Sequence, residues 1–156
     1  MQKAFTMIEL IFVIVVIGIL STVAIPKFSG IADTAYTSKA KSTVASIRSA
    51  LATERQKRIL QGKFSKIVSL DTADTGNATA IFTNIVDEDG DASGVSVFDY
   101  SMKSCPTGKT SGCWTYKNSN KQYTYFFPNA SSVTFSITNS KFICSGDSAK
   151  CNLLTH

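Results

Sequence analysis

Residues 4–26 read AFTMIELIFVIVVIGILSTVAIP, and the reading of the whole chain turns on the one carboxylate inside that run, Glu9. From Phe5 to Ile25 there are 21 residues with no other charge. At about 1.5 Å per residue they make about 31 Å of helix, which matches a bilayer core of about 30 Å. The run therefore predicts a membrane-spanning helix. A carboxylate inside such a helix costs roughly 2.5–3.5 kcal/mol at mid-bilayer, so Glu9 calls for a partner; about one turn from the apolar start, it also has the plainer option of reaching the interface.

The four residues MQKA precede Phe5 and read as a short basic leader. A secretory signal would place its cleavage site after the apolar run and discard the run. Here the sequence beyond GILSTVAIP continues in a polar helical pattern, so the run reads as retained. These residues resemble the type IV prepilin and type II secretion pseudopilin family. Its signature is a short basic leader, a small residue, then Phe-Thr-x-Ile-Glu opening a hydrophobic helix. This chain has Ala4, then FTMIE, then LIFVIVVIGILSTVAIPKF, with Phe5, Glu9, Gly18 and Pro26 all in register. One departure is that the family usually has Gly where Ala4 stands.

The resemblance implies that a membrane prepilin peptidase cuts before Phe5 and methylates the new amine. Glu9 would then meet the positive terminus of a neighbouring subunit. An unpaired carboxylate in a low-dielectric bundle is penalised and a paired one largely compensated, so the charge would select for a polymer. The same resemblance implies a homo-oligomeric helical filament, a pilus or a shorter secretion pseudopilus. Assembly would be driven indirectly by a platform protein and an ATPase. The precursor would be a single-pass protein of the bacterial inner membrane with its head in the periplasm.

Beyond the membrane run, Phe28, Ile31, Ala35, Ala40, Val44, Ile47 and Leu51 recur at spacings of three and four with one break, flanked by Lys and Arg. That stripe predicts an amphipathic continuation that packs on a sheet. Gly62 is placed to end it, and Lys57 and Arg58 suit the negative end of the helix dipole. A helix from Thr6 to about Leu60 would run some 80 Å at about 1.5 Å per residue, a rod with a head. Within it GILSTVAIP is locally weak: Pro26 has no N–H for the carbonyl of Thr22, Gly18 adds backbone entropy, and Thr22, Val23 and Ile25 are β-branched. A kink is expected there, with the Ser21 and Thr22 hydroxyls available to freed carbonyls. The layout is leader 1–4, transmembrane helix 5–25, amphipathic helix 26–62 and head 63–156. The fold class is α+β, a long helix on a C-terminal antiparallel sheet, the pilin fold.

In the head, AIFTNIV, GVSVFDY, CWTYK, QYTYFFP, SVTFSIT and KFICS are rich in β-branched and aromatic residues and predict four to six antiparallel strands. Turns are expected around Asn118–Asn120 and near Asn139. Trp114, Tyr116, Tyr123, Tyr125 and Phe127 read as sheet core and cross-strand pairs rather than a binding platform. A head of about 90 residues is near the lower limit for a core that stands alone, so a staple is expected. Cys105, Cys113, Cys144 and Cys151, spaced C-x7-C and C-x6-C with a single histidine at His156, favour disulfides over zinc. The short loops favour Cys105–Cys113 and Cys144–Cys151, each worth about 2.5 kcal/mol before strain. Sequence alone leaves crossed pairing open.

Asp87, Asp89 and Asp91 alternate as calcium ligands do, but Gly90 and Ala92 break the EF-hand pattern and no Glu stands at the twelfth position. Major pseudopilins often hold calcium in a head loop, so the resemblance keeps that ion as the one candidate cofactor; the plain alternative is a solvated hairpin tip. Enzyme signatures are lacking: no Ser-His or Cys-His arrangement and no phosphate-cradling G-x-x-x-x-G-K. Residues 1–66 hold ten Lys or Arg against three acids, and residues 67–156 hold six against eight. The slightly acidic head argues against nucleic acid as a partner, and hence against a DNA-uptake competence pilin. A monomeric membrane-anchored periplasmic binding protein is the alternative from another class.

Overall fold

The computed structural model describes residues 5–108 and 111–156. The chain divides between Ala35 and Tyr36 into two compact units. One helix, α1 (Met7–Leu60), supplies all the helical residues described in the first unit and opens the second. The helix is unbroken through Gly18 and Pro26. The hydroxyl of Ser21 donates to the Ile17 carbonyl at 2.8 Å and that of Thr22 to Ile19 at 2.7 Å, so both serve the preceding turn and not the Thr22 carbonyl that Pro26 leaves without its donor.

At its C-terminus α1 closes as expected from Gly62. Gly62 takes the left-handed φ of +76° that a side chain would resist. Lys63 N–H reaches back to the Arg58 carbonyl at 2.9 Å and Gly62 N–H to Ile59 at 3.0 Å, the paired bonds of a Schellman cap.

Of the apolar stripe, Ala40, Val44, Ile47 and Leu51 are buried in the core of the second unit. The expectation that the stripe packs from Phe28 onward is corrected: Phe28, Ile31 and Ala35 are exposed and belong to the first unit. Each large aliphatic side chain buried in the second unit contributes roughly 1.5–3 kcal/mol, so the stripe is the main tie between helix and sheet.

The sheet is a four-stranded meander, β5 (Cys113–Lys117), β6 (Gln122–Phe126), β7 (Ser132–Thr138) and β8 (Lys141–Ser145), paired antiparallel in chain order. Period-two alternation sets its two faces: Trp114, Tyr116, Tyr123, Tyr125, Val133, Phe135 and Phe142 point into the core. Tyr116 stacks on its cross-strand partner Tyr123 at 4.5 Å, and Phe135 on Phe142 at 4.8 Å. The β7–β8 turn has Asn139 and Ser140 both at positive φ, 52° and 60°, the two-residue hairpin that matches strand twist.

Between helix and meander the segment is less regular than AIFTNIV and GVSVFDY suggest. β1 (Ile67–Ser69) pairs with β3 (Val86–Asp87), and β2 (Ala80–Ile81) with β4 (Met102–Lys103). GVSVFDY forms no strand; Val97 N–H and the Ser96 hydroxyl both converge on the Phe82 carbonyl. Phe82 itself has φ +61°, which ends β2 after two residues. A short helix, α2 (Ser148–Thr155), finishes the fold, capped by the Asp147 carboxylate on Ala149 N–H at 2.9 Å.

Candidate assembly site

The site begins where α1 does. Thr6 is its N-cap: the Thr6 hydroxyl oxygen accepts the Glu9 N–H at 3.3 Å, and the Thr6 carbonyl accepts the N–H groups of Glu9 and Leu10 at 3.1 and 3.3 Å. Glu9 thus stands in the first turn, where the positive end of the helix dipole favours a carboxylate. Thr6-x-x-Glu9 is the spacing of a capping box, a local signal present in the sequence beside the charge itself. Ala4 lies outside the described residues; Phe5 and Glu9 are both exposed, with Phe5 at 81%. The large apolar residues of 5–25 are likewise exposed in the isolated chain, and among the described residues α1 is long and apolar enough to cross a membrane. A surface of that kind needs either lipid or other helices around it.

The head supplies rigidity. Cys105 is bonded to Cys113 and Cys144 to Cys151, with Cα separations of 5.2 and 5.8 Å. The first bond joins the end of the irregular segment to β5, and the second ties α2 to β8.

Asp87, Asp89 and Asp91 do not converge. Asp87 is buried, one oxygen 2.6 Å from Arg58 Nη1, the other accepting the N–H groups of Asp89 at 3.2 Å and Asp91 at 2.8 Å. The Asp89 carboxylate accepts from the Ser65 hydroxyl, and Asp91 faces Lys63 at 3.7 Å. Among the described residues no group of three or more His, Cys, Asp or Glu is placed to hold a metal ion. The loop is organised around Asp87 as an internal anchor.

Two buried polar centres escaped the sequence reading. Arg58, assigned there to the helix dipole, is 5% exposed: its Nε donates to Glu54 at 3.1 Å, Nη1 to Asp87, and Nη2 to the Ile85 carbonyl at 3.4 Å. It locks the loop to α1. Asp71 accepts the Phe82 N–H at 2.9 Å and both the N–H and hydroxyl of Thr83 at 3.1 Å, holding the left-handed turn at Phe82. Burial raises the Asp71 carboxyl above its ordinary range, against the lowering effect of those donors. Glu54 stands four residues before Arg58 at helical spacing, but the Arg58–Asp87 and Asp71–Phe82 contacts had no local signal, because those partners lie 29 and 11 residues apart.

Known proteins add to this geometry at the N-terminus. The family described as Prokaryotic N-terminal methylation motif matches residues 1–25. Over 50 residues, 32% of this chain and 43% of the relative, the sequence is 48% identical to the type IV narrow pilus major component PilA5 of Thermus thermophilus. Over 62 residues, 40% of this chain and 38% of each relative, it is 42% identical to two fimbrial proteins of Pseudomonas aeruginosa. The chain thus spans less than half the length of these curated relatives. No solved structure matches it significantly. Over this N-terminal stretch, where a methylation motif leads into an exposed apolar helix, the chain is similar to type IV pilin and fimbrial proteins.

Proposed function

We propose that the protein is a structural subunit of a type IV pilus, polymerising through α1 after removal of residues 1–4. The observation that carries this reading is Glu9, a carboxylate held in the first turn of α1, directly behind Phe5 and inside the stretch to Ile25 that has no other charge and whose large apolar side chains are exposed. Cleavage before Phe5 creates an amine next to that turn, and in a bundle of such helices the amine of one copy neutralises the Glu9 of another. The relatives are named for pili, which supports a pilus over a secretion pseudopilus. Before assembly the subunit sits in the inner membrane with the disulfide-bonded head in the oxidising periplasm. Its work is mechanical, and catalysis has no part in it.

Amino-terminal sequencing of sheared filaments tests this. The expected first residue is Phe5, as a methylated amine, and replacing Ala4 with a bulky residue should leave full-length chain in the membrane. Filaments that retain Met1 would sink the reading.

A further inference from the structure

The second unit separates its charges. Residues 39–66 hold eight Lys or Arg against one acid, Glu54, whereas residues 67–102 hold seven Asp or Glu and no Lys or Arg. Within the first set, Lys57, Arg58 and Lys63 pair with acids of their own chain, while Arg48 and Arg55 stand together on one flank of α1. Arg48, Ala52 and Arg55 lie to one side of the buried Val44–Ile47–Leu51 stripe, and Ser46, Ala50 and Thr53 to the other, as 3.6 residues per turn requires.

On the first flank, those three residues and the β7–β8 hairpin enclose a mainly apolar groove of about 450 Å³. Ile143, 42% exposed, forms part of its floor. Its rim is cationic and held in place: Arg48 Nε donates to the Phe142 carbonyl at 3.2 Å, Arg55 Nη1 to the Ser65 carbonyl at 2.6 Å, and Lys141 is exposed beside them. On the second flank runs the irregular segment that carries Val95, 44% exposed, Asp99, and Tyr100, 62% exposed. Asp91, Asp89 and Glu88 already have partners in their own chain: Lys63 faces Asp91, the Ser65 hydroxyl donates to Asp89, and the backbone N–H of Lys66 donates to Glu88. The outward pairing therefore falls to Asp99, with Tyr100 and Val95 as apolar contacts.

An apolar floor ringed by cations on one flank, and exposed apolar side chains beside a carboxylate on the other, are complementary surfaces of one molecule. We propose that the groove is an interface between copies of this chain, receiving the Val95–Tyr100 segment of a second copy. Tyr100 covers Ile143, and Asp99 meets Arg48 and Lys141. Because the two surfaces differ, each contact leaves one groove and one segment unused, so the association continues as an open array. The contact deepens the filament reading and rests on it.

The test uses full-length chain in cells as the sole subunit. A photoreactive phenylalanine analogue at position 100 should crosslink to residues 139–143 of another copy. Lys141→Glu and Asp99→Lys should each lower filament yield about fivefold or more, and the double exchange should restore it to within about twofold. Protease resistance of each head in the membrane fraction checks that the variants fold. A crosslink to another protein or to lipid, single variants that assemble normally, or a double exchange without recovery would each overturn the contact while wild-type filaments keep the parent reading standing. Wild-type chains that never polymerise would remove both.

Discussion

Tyr116, Tyr123 and Tyr125 are buried phenols whose oxygens are all used: Tyr116 donates to Asn118 Oδ1 at 3.2 Å, Tyr123 accepts the Leu70 N–H at 2.7 Å, and Tyr125 donates to the Tyr36 carbonyl at 3.0 Å. Burial raises all three, Tyr125 to about 12 and Tyr123 well above the ordinary 10.0, with the Asp71 charge adding to the effect at Tyr123. The folded values lie above the unfolded one, so folding favours the neutral phenol. That contribution is fully present below the ordinary tyrosine range and is lost as pH rises through the raised values, which for Tyr125 means up to about 12. Tyrosinate absorbance of the native head should therefore lag behind that of the denatured chain between pH 10 and 12, with the late step coinciding with loss of the near-ultraviolet circular dichroism. Three of the five tyrosines titrating together with the denatured reference would refute the burial assigned to them. That these residues face the core was readable from their alternation along β5 and β6. That Asp71 would lie beside Tyr123 was not, because an acid in a polar connection looks locally like a solvated one until the chain folds back on itself.

Elements with a strong local rule were the ones the sequence determined. α1 shows apolar content, spacing and a Gly cap; the four meander strands show alternation and turn residues at Asn118–Asn120 and Asn139. The segment between Leu70 and Lys103 obeys no period, since its backbone groups are satisfied by single contacts such as Asp71 on Phe82 and Arg58 on Ile85. Its apolar runs therefore mimicked strands. One loop contact makes the coupling between elements measurable. Gly112, at φ +66° and next to the Cys105–Cys113 bond, sits so close to α1 that a Cβ there would lie 2.4 Å from Tyr36 Cδ1. Gly112→Ala should destabilise the head by roughly 1–3 kcal/mol, partly by overpacking and partly by left-handed strain. Tyr36→Ala in the same chain should recover the overpacking part and leave the strain, read as a non-additive double-mutant cycle in urea. Strict additivity would mean that the Tyr36 ring does not rest on this loop.

At the scale of the whole molecule, the chain combines a well-cored, twice-stapled head with an N-terminal helical stretch whose large apolar side chains, among the described residues, are exposed. The head needs no partner to bury its core, so variants at the far end of α1 should separate folding from assembly. Glu9→Gln keeps the shape of the first turn and removes the charge, and Glu9→Lys sets a cation at the positive end of the helix dipole and beside a neighbour's amine. Breaking a buried pair from one side costs roughly 3–5 kcal/mol, whereas an exposed pair contributes about 0–1. If the pairing forms only between assembled helices, both variants should insert, be cut before Phe5 and keep a protease-resistant head, yet leave subunits in the membrane and none in sheared filaments. Glu9→Gln should show residual assembly and Glu9→Lys none, since repulsion adds to the lost attraction. Insertion, cleavage and filament yield measured together in cells carrying each variant as sole subunit decide the matter. Full filament yield from Glu9→Lys would mean that the carboxylate does no more than favour the dipole of its own first turn, and the assembly role given to it would be withdrawn.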